Sequence, residues 1–214
     1  MKKFRGTVLV LALLASALVA FPTWAKVDQA AVGKGTSELG LAFSWMQQHY
    51  TVETGHATGG FTTSTYSSNL AYGYFLTKAL ELGVNWIYSA DWTKWTGDFS
   101  GLGTSWILRQ LLEGRVTYNF NLKGAPALLP YIAAKGGWFS YHETTQTGGG
   151  SGGAYGGAVG LRYFVSRQGA LNLEFDYDAI SPSNLKYDWG HIHLKNASNM
   201  GVFVGTSIFF GGKK

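Results

Sequence analysis

The residues able to do chemistry are the cations Arg109, Arg115, Lys135 and Arg162 and the carboxylates Glu81, Glu113, Glu174 and Asp176, with Asp178 at the margin. Brought together away from water, such a set could line a gated path for ions or lock into a hydrogen-bonded plug. The near balance of opposite charges favours the plug, because an unpaired buried charge costs several kcal/mol. Other candidates are weaker. His191 and His193 could offer two imidazoles to a metal, but no third ligand is near in sequence, so no metal site is assigned. The glycine-rich stretch 147–157 lacks the strand-to-helix setting and lysine of a phosphate cradle. It reads as a flexible loop tip running into a strand start. Asn196-Ala197-Ser198 matches a glycosylation sequon by chance, and His49 and His56 have no partners. No catalytic residue and no cofactor are expected.

Period-two alternation identifies the elements that must position these charges. In 79–91, Leu80, Leu82, Val84, Trp86 and Tyr88 oppose Glu81, Gly83, Asn85, Ser89 and Asp91, with Ile87 an exception. In 105–120, Trp106, Leu108, Leu112, Val116, Tyr118 and Phe120 oppose Arg109, Glu113, Arg115, Thr117 and Asn119, with Gln110 a misfit. Tyr155, Val159, Leu161, Tyr163 and Val165 oppose Ala158, Gly160 and Arg162. Leu171, Leu173, Phe175 and Tyr177 oppose Asn172, Glu174, Asp176 and Asp178. Weaker alternation marks strands around 38–45, 65–74 and 200–210. The stretch 130–142 is ambiguous in face, with Lys135 better placed inward.

Connections alternate in length. Leu76-Thr77-Lys78, 121–127 and 166–169 are short, whereas 51–60, 93–103, 144–153 and 180–196 are long and polar. Short turns on one side and long loops on the other are the asymmetry of outer-membrane barrels. Such a sheet must close, because lipid offers no water to satisfy a free edge. The fold expected is all-β: an eight-stranded antiparallel up-and-down transmembrane β-barrel with short periplasmic turns and long extracellular loops. A soluble sandwich or lipocalin-type barrel is the rival. Eight strands leave room only for side chains, and ion pairs fit that interior better than many aromatic rings. Trp45, Trp86, Trp106, Tyr118, Tyr163 and Tyr177 read as membrane-interface aromatics.

Lys2, Lys3 and Arg5, an apolar run to Phe21, and Pro22 to Ala25 form a secretory signal pattern. The run is shorter than the roughly 20 residues a spanning helix needs. The organisation expected is 1–25 signal peptide, 26–35 N-terminal extension, 36–210 transmembrane barrel and 211–214 C-terminal tail. The +5 charge of the chain includes Lys2, Lys3 and Arg5, so the mature chain is near +2. No basic stripe or nucleic-acid-binding motif accompanies it, so no nucleic acid partner is expected. Cysteine is absent, and only 14% of residues are charged while 15% are aromatic; soluble domains usually carry about 25% charged residues.

The segments YFLTKALELGVNW (74–86), LPYIAAKGGW (129–138) and GAVGLRYFVSRQGALNLEFDYD (157–178) resemble the hairpins of the OmpA/OmpX-like small outer-membrane β-barrel family. The resemblance spans most of the mature chain. It implies a monomer in the Gram-negative cell outer membrane, inserted by the outer-membrane assembly machinery and in contact with outer-membrane lipid and lipopolysaccharide. Family members commonly end on an aromatic residue, whereas Phe210 is followed here by Gly-Gly-Lys-Lys; Phe209 and Phe210 remain able to serve as the insertion signal. No periplasmic domain is expected after the barrel. Small barrels of this kind include lipid A deacylases and acyltransferases. His193 and Ser198, oriented by Glu174 or Asp176, could be cast in that role, but Lys195 stands where the His-x-Ser spacing would place the serine. The function expected is a membrane scaffold or surface-interaction protein with a charge-plugged lumen. A narrow channel for small or hydrophobic solutes and a lipid A-modifying enzyme are the alternatives.

Overall fold

The structure is a computed structural model. It describes residues 32–54, 57–97, 101, 104–143, 148–181, 183–187, 190–194 and 197–212, with 48–54, 57–61, 183–187, 190–194 and 197 described by backbone alone. The signal segment, its cleavage point and His56 lie outside the described residues, and the side chains of His49, His191 and His193 do too.

The strands are β1 (Thr36–Thr54), β2 (Ala57–Phe75), β3 (Leu80–Gly97), β4 (Thr104–Asn119), β5 (Leu128–Glu143), β6 (Gly148–Phe164), β7 (Gly169–Ile180), β8 (Ser183–Tyr187), β9 (Gly190–Leu194) and β10 (Ala197–Gly211). β1 through β7 pair antiparallel with their neighbours, β7 pairs with β10, and β10 returns to β1, so eight strands close a barrel. No open edge is left between them, as a lipid environment demands.

β8 and β9 form an extra hairpin in the last long connection, set on the end of β6 through Gly148↔Tyr187 and Gly149↔Lys186. β6 runs past the end of β7, whose last pair is Ala154↔Ile180, and the hairpin takes up the freed edge. The glycine-rich segment expected as a loop tip is therefore strand: 148–153 pairs with 138–143 of β5. The first long loop is likewise mostly ladder, out to Thr54↔Ala57.

At the opposite end two of the three turns are closed by their own hydroxyls. Thr77 Oγ1 accepts from the backbone N–H of Ala79 (3.1 Å) and Leu80 (2.9 Å). Ser166 Oγ accepts from the N–H of Gln168 at 3.3 Å. Such local bonds favour turns over continued strand.

Burial is inverted relative to a soluble barrel. Leu82, Val84, Leu112, Val116, Phe175 and Ile208 are exposed, whereas Glu81, Glu113, Arg115, Lys135, Arg162 and Glu174 are buried. An apolar exterior over a polar interior is the arrangement of a membrane barrel.

Following paired residues from Ser37 through Tyr74, Leu82, Val116, Ala134, Gly157 and Tyr177 to Met200, the row climbs about ten residues relative to β1. That shear tilts the strands by roughly 40°. With the climb taken into account, Trp45, Tyr66, Tyr88, Trp138, Tyr155 and Tyr177 share one level toward the long-loop end. Tyr74, Tyr118, Phe120, Tyr163 and Phe210 share another near the short turns. The levels lie roughly 20 Å apart at about 3.3 Å per residue. Two of the aromatics assigned to the interface from sequence fall elsewhere. Trp86 stands below the upper level, between Leu70 and Leu112, and Trp106 stands above it. Strand tilt, invisible in a one-dimensional pattern, separates residue number from height.

Candidate functional site

The inward positions of the strands place their side chains in layers along the barrel axis. Nearest the short turns, Val32, Phe75, Leu129, Phe164, Ala170 and Phe209 form an apolar cluster. The rings of Phe164 and Phe209 lie 5.0 Å apart, and that of Phe75 is 6.2 Å from Phe209.

Above it lies a network centred on Arg162. Its Nη2 is 2.6 Å from Glu38 Oε2 and 3.0 Å from Glu81 Oε2, and its Nη1 donates to Asn119 Oδ1 at 2.6 Å. The guanidinium stacks over the Tyr131 ring at 4.4 Å, with Arg115 near the same ring at 5.1 Å. Arg115 donates to Glu174 Oε2 at 2.6 Å, and the Tyr131 hydroxyl donates to the same oxygen at 2.7 Å. Planar guanidinium groups suit this mixture of stacking and forked donation.

A second network surrounds Lys135. Its Nζ lies 2.7 Å from Asp176 Oδ1, 2.8 Å from Asp178 Oδ1 and 3.1 Å from Glu113 Oε2. A second apolar layer follows toward the long loops, made of Ile87, Leu111, Phe139, Ala154 and Phe203. Above that layer Arg109 bridges Asp91 at 2.8 Å and Asn199 at 2.6 Å, and Asp91 also accepts from Thr65 Oγ1 at 2.6 Å.

The charges named from sequence thus fall in three groups. Glu81, Arg115, Arg162 and Glu174 share the lower network, Glu113, Lys135 and Asp176 share the upper one, and Arg109 stands apart at the mouth. Its side chain is 27% exposed, whereas that of Lys135 is fully buried.

Sequence reasoning omitted Glu38, Tyr131 and Asn119 from the set. It also expected few rings inside, whereas Phe75, Phe139, Phe164, Phe203 and Phe209 all point inward. A usable signal existed. Tyr74-Phe75, Trp86-Ile87, Leu111-Leu112, Trp138-Phe139, Tyr163-Phe164 and Phe209-Phe210 are apolar doublets, and in an alternating strand one member of each must face the lumen.

A cavity of about 40 Å³ lies among Glu38, Asn69, Asn85, Arg115, Tyr131 and Arg162. It holds a few water molecules at most. Among the described residues, no group of three or more His, Asp or Glu is placed to hold a metal ion. Of the nucleophilic set considered from sequence, Glu174 is taken by Arg115 and Tyr131 and Asp176 by Lys135, while the side chain of His193 lies outside the described residues. Ser198 is exposed.

No family model matches the sequence, and no curated protein matches it. Solved structures do. The outer membrane protein OprG from Pseudomonas aeruginosa is similar, with a TM-score of 0.58 and 13% identity over 86% of this chain and 100% of that one. Neisserial surface protein A has a TM-score of 0.56 and 13% identity, covering 83% of this chain and 99% of its own. Taken with the closed ladder and the apolar exterior, these likenesses place the chain, by fold, among the small eight-stranded outer-membrane β-barrels.

Proposed function

We propose that this protein is an outer-membrane scaffold whose long extracellular segments make surface interactions around a sealed lumen, and that it is not an enzyme. The observation that carries this reading is the stack of two apolar layers and two ion-pair networks across the lumen, with a cavity of only about 40 Å³ between them. A hydrated ion crossing such a lumen would have to strip Lys135 or Arg162 of buried partners, which costs several kcal/mol per uncompensated charge. The partners proposed are outer-membrane lipid and lipopolysaccharide, with delivery by the outer-membrane assembly machinery and a monomeric state in the membrane.

Single-channel recording on the refolded protein in planar bilayers tests the sealed lumen. The expected record is flat; a steady conductance altered by Lys135→Ala would replace this reading with a channel. Mass spectrometry of lipid A from cells with and without the protein tests the second half, and a changed acyl pattern would make the protein an enzyme.

A further inference from the structure

The outer wall carries an irregularity that the lumen does not explain. A groove of about 320 Å³ is formed by Leu41, Ser68, Leu70, Trp86, Tyr88 and Gln110. Its apolar members suit an acyl chain, yet Ser68 and Gln110 put hydrogen-bonding groups on a lipid-facing surface, one on either side of Tyr88 in the strand register. Both flank Tyr88 at the upper aromatic level, where polar groups of the outer leaflet can meet them. Along the outward face of β3 the next side chains are Ala90, Trp92 and Lys94. Trp92 stacks on Trp106 of β4, with centroids 5.7 Å apart and planes within 3°. Trp106 stays 46% exposed. Lys94 is exposed and stands level with Thr62 and Thr104. The other exposed described lysines, Lys34, Lys78 and Lys123, sit at the short-turn end.

From Trp86 to Lys94 the column runs about 26 Å along the strand, from inside the aromatic girdle to above it. Its chemistry changes in order: apolar groove, amide and hydroxyl, flat aromatic face, cation. We propose that this column binds a phosphorylated, acylated saccharide of the outer leaflet, that is, lipopolysaccharide. An acyl chain lies in the groove, and Gln110 and Ser68 hydrogen-bond its carbonyl or hydroxyl oxygens. A sugar ring packs on the exposed face of Trp106, and a phosphate meets the Lys94 ammonium. A phospholipid would use the groove but offers no ring for the indole, and a free sugar would leave the groove unfilled. The inference rests on the membrane-spanning, sealed-barrel reading above and names one ligand of its outer face.

The test uses the full chain, refolded into phosphatidylcholine nanodiscs containing short-core lipopolysaccharide, its dephosphorylated form, or phosphatidylglycerol. Retained lipid is read by native mass spectrometry, and heat-modifiable electrophoretic mobility verifies that each variant is folded. Phosphorylated glycolipid should be retained over both other lipids. Lys94→Glu should weaken retention at least about fivefold, the ratio for one near-surface lysine charge. Trp106→Ala should also weaken it, and Lys123→Glu on the far turn should not. Equal retention of phosphatidylglycerol, no effect of Lys94→Glu, or an equal effect of Lys123→Glu would each overturn the site. Loss of the glycolipid preference in a folded, non-conducting barrel would sink this inference alone, whereas a conducting barrel would sink the sealed-lumen reading alone.

Discussion

Arg162 on β6 and Glu38 on β1 meet across the lumen through two contacts, Nη2 to Oε2 at 2.6 Å and Nε donating to Oε1 at 3.0 Å. They are 124 positions apart in sequence, so the pair ties the first strand of the barrel to the sixth. Both side chains are almost entirely buried, and a forked pair of this kind is among the stronger hydrogen-bonded ion pairs.

Arg162→Met leaves Glu38 and Glu81 buried without their cation. The variant should lose about 3–5 kcal/mol of stability, the cost of an uncompensated buried charge. Urea unfolding in lipid vesicles, followed by tryptophan fluorescence, measures it. The double variant Arg162→Met with Glu38→Gln should recover part of that loss, because one carboxylate no longer needs a counter-ion.

Gly160 sits against the flat side of Tyr131, and a Cβ built there would run into the Tyr131 ring. Gly160→Val should therefore displace the ring that both arginines stack upon and destabilise the barrel by about 1–3 kcal/mol or more, as overpacking does. Tyr131→Phe keeps the ring and loses only the hydroxyl bond to the Glu174 carboxylate, a change of about 1.5–3 kcal/mol for a hydrogen bond to a charged group. A Gly160→Val variant that unfolds at the same urea concentration as the unsubstituted protein would show that the Tyr131 ring does not depend on Gly160.

The direction of the outer face can be tested by charge. Val84→Arg, midway between the two aromatic levels, should cost about 2–4 kcal/mol in vesicles, the depth-dependent penalty for a lipid-facing charge at the bilayer midplane. Thr96→Arg, exposed beyond the upper level, should cost close to nothing. Equal effects would mean that Val84 does not face hydrocarbon.

Two apolar layers should make the seal redundant. Phe203→Ala and Phe209→Ala, each in a different layer, should leave planar-bilayer recordings flat when made singly, because the other layer and both ion networks remain. A single substitution that yields steady conductance would show one layer alone to be the barrier.

Much of the fold was legible because period two is enforced residue by residue. Leu82, Val84, Phe175 and Val202 face out and Glu81, Asp176 and Arg115 face in, as their spacing implies, since each residue of a pleated strand alternates sides whatever its partner is. Ile87, an apparent fault in the pattern, is an inward member of the upper apolar layer. The extended β1–β2 ladder, the strand through 148–153 and the β8–β9 hairpin were not legible. Glycine and polar residues carry weak alternation, so a partnered strand and a loop look alike until the neighbouring strand is in place.

What the sequence by itself determined was the sidedness of the strands, the alternation of short and long connections and the charges that enter the lumen, all consequences of local backbone geometry. Only the tertiary structure decided which charges meet. Glu38 joins Arg162 and Lys135 gathers Glu113, Asp176 and Asp178 because closure with a shear of about ten residues brings β1 round to β10 and sets the relative height of every strand. Tilt and register are properties of the closed sheet as a whole, and no single strand encodes them.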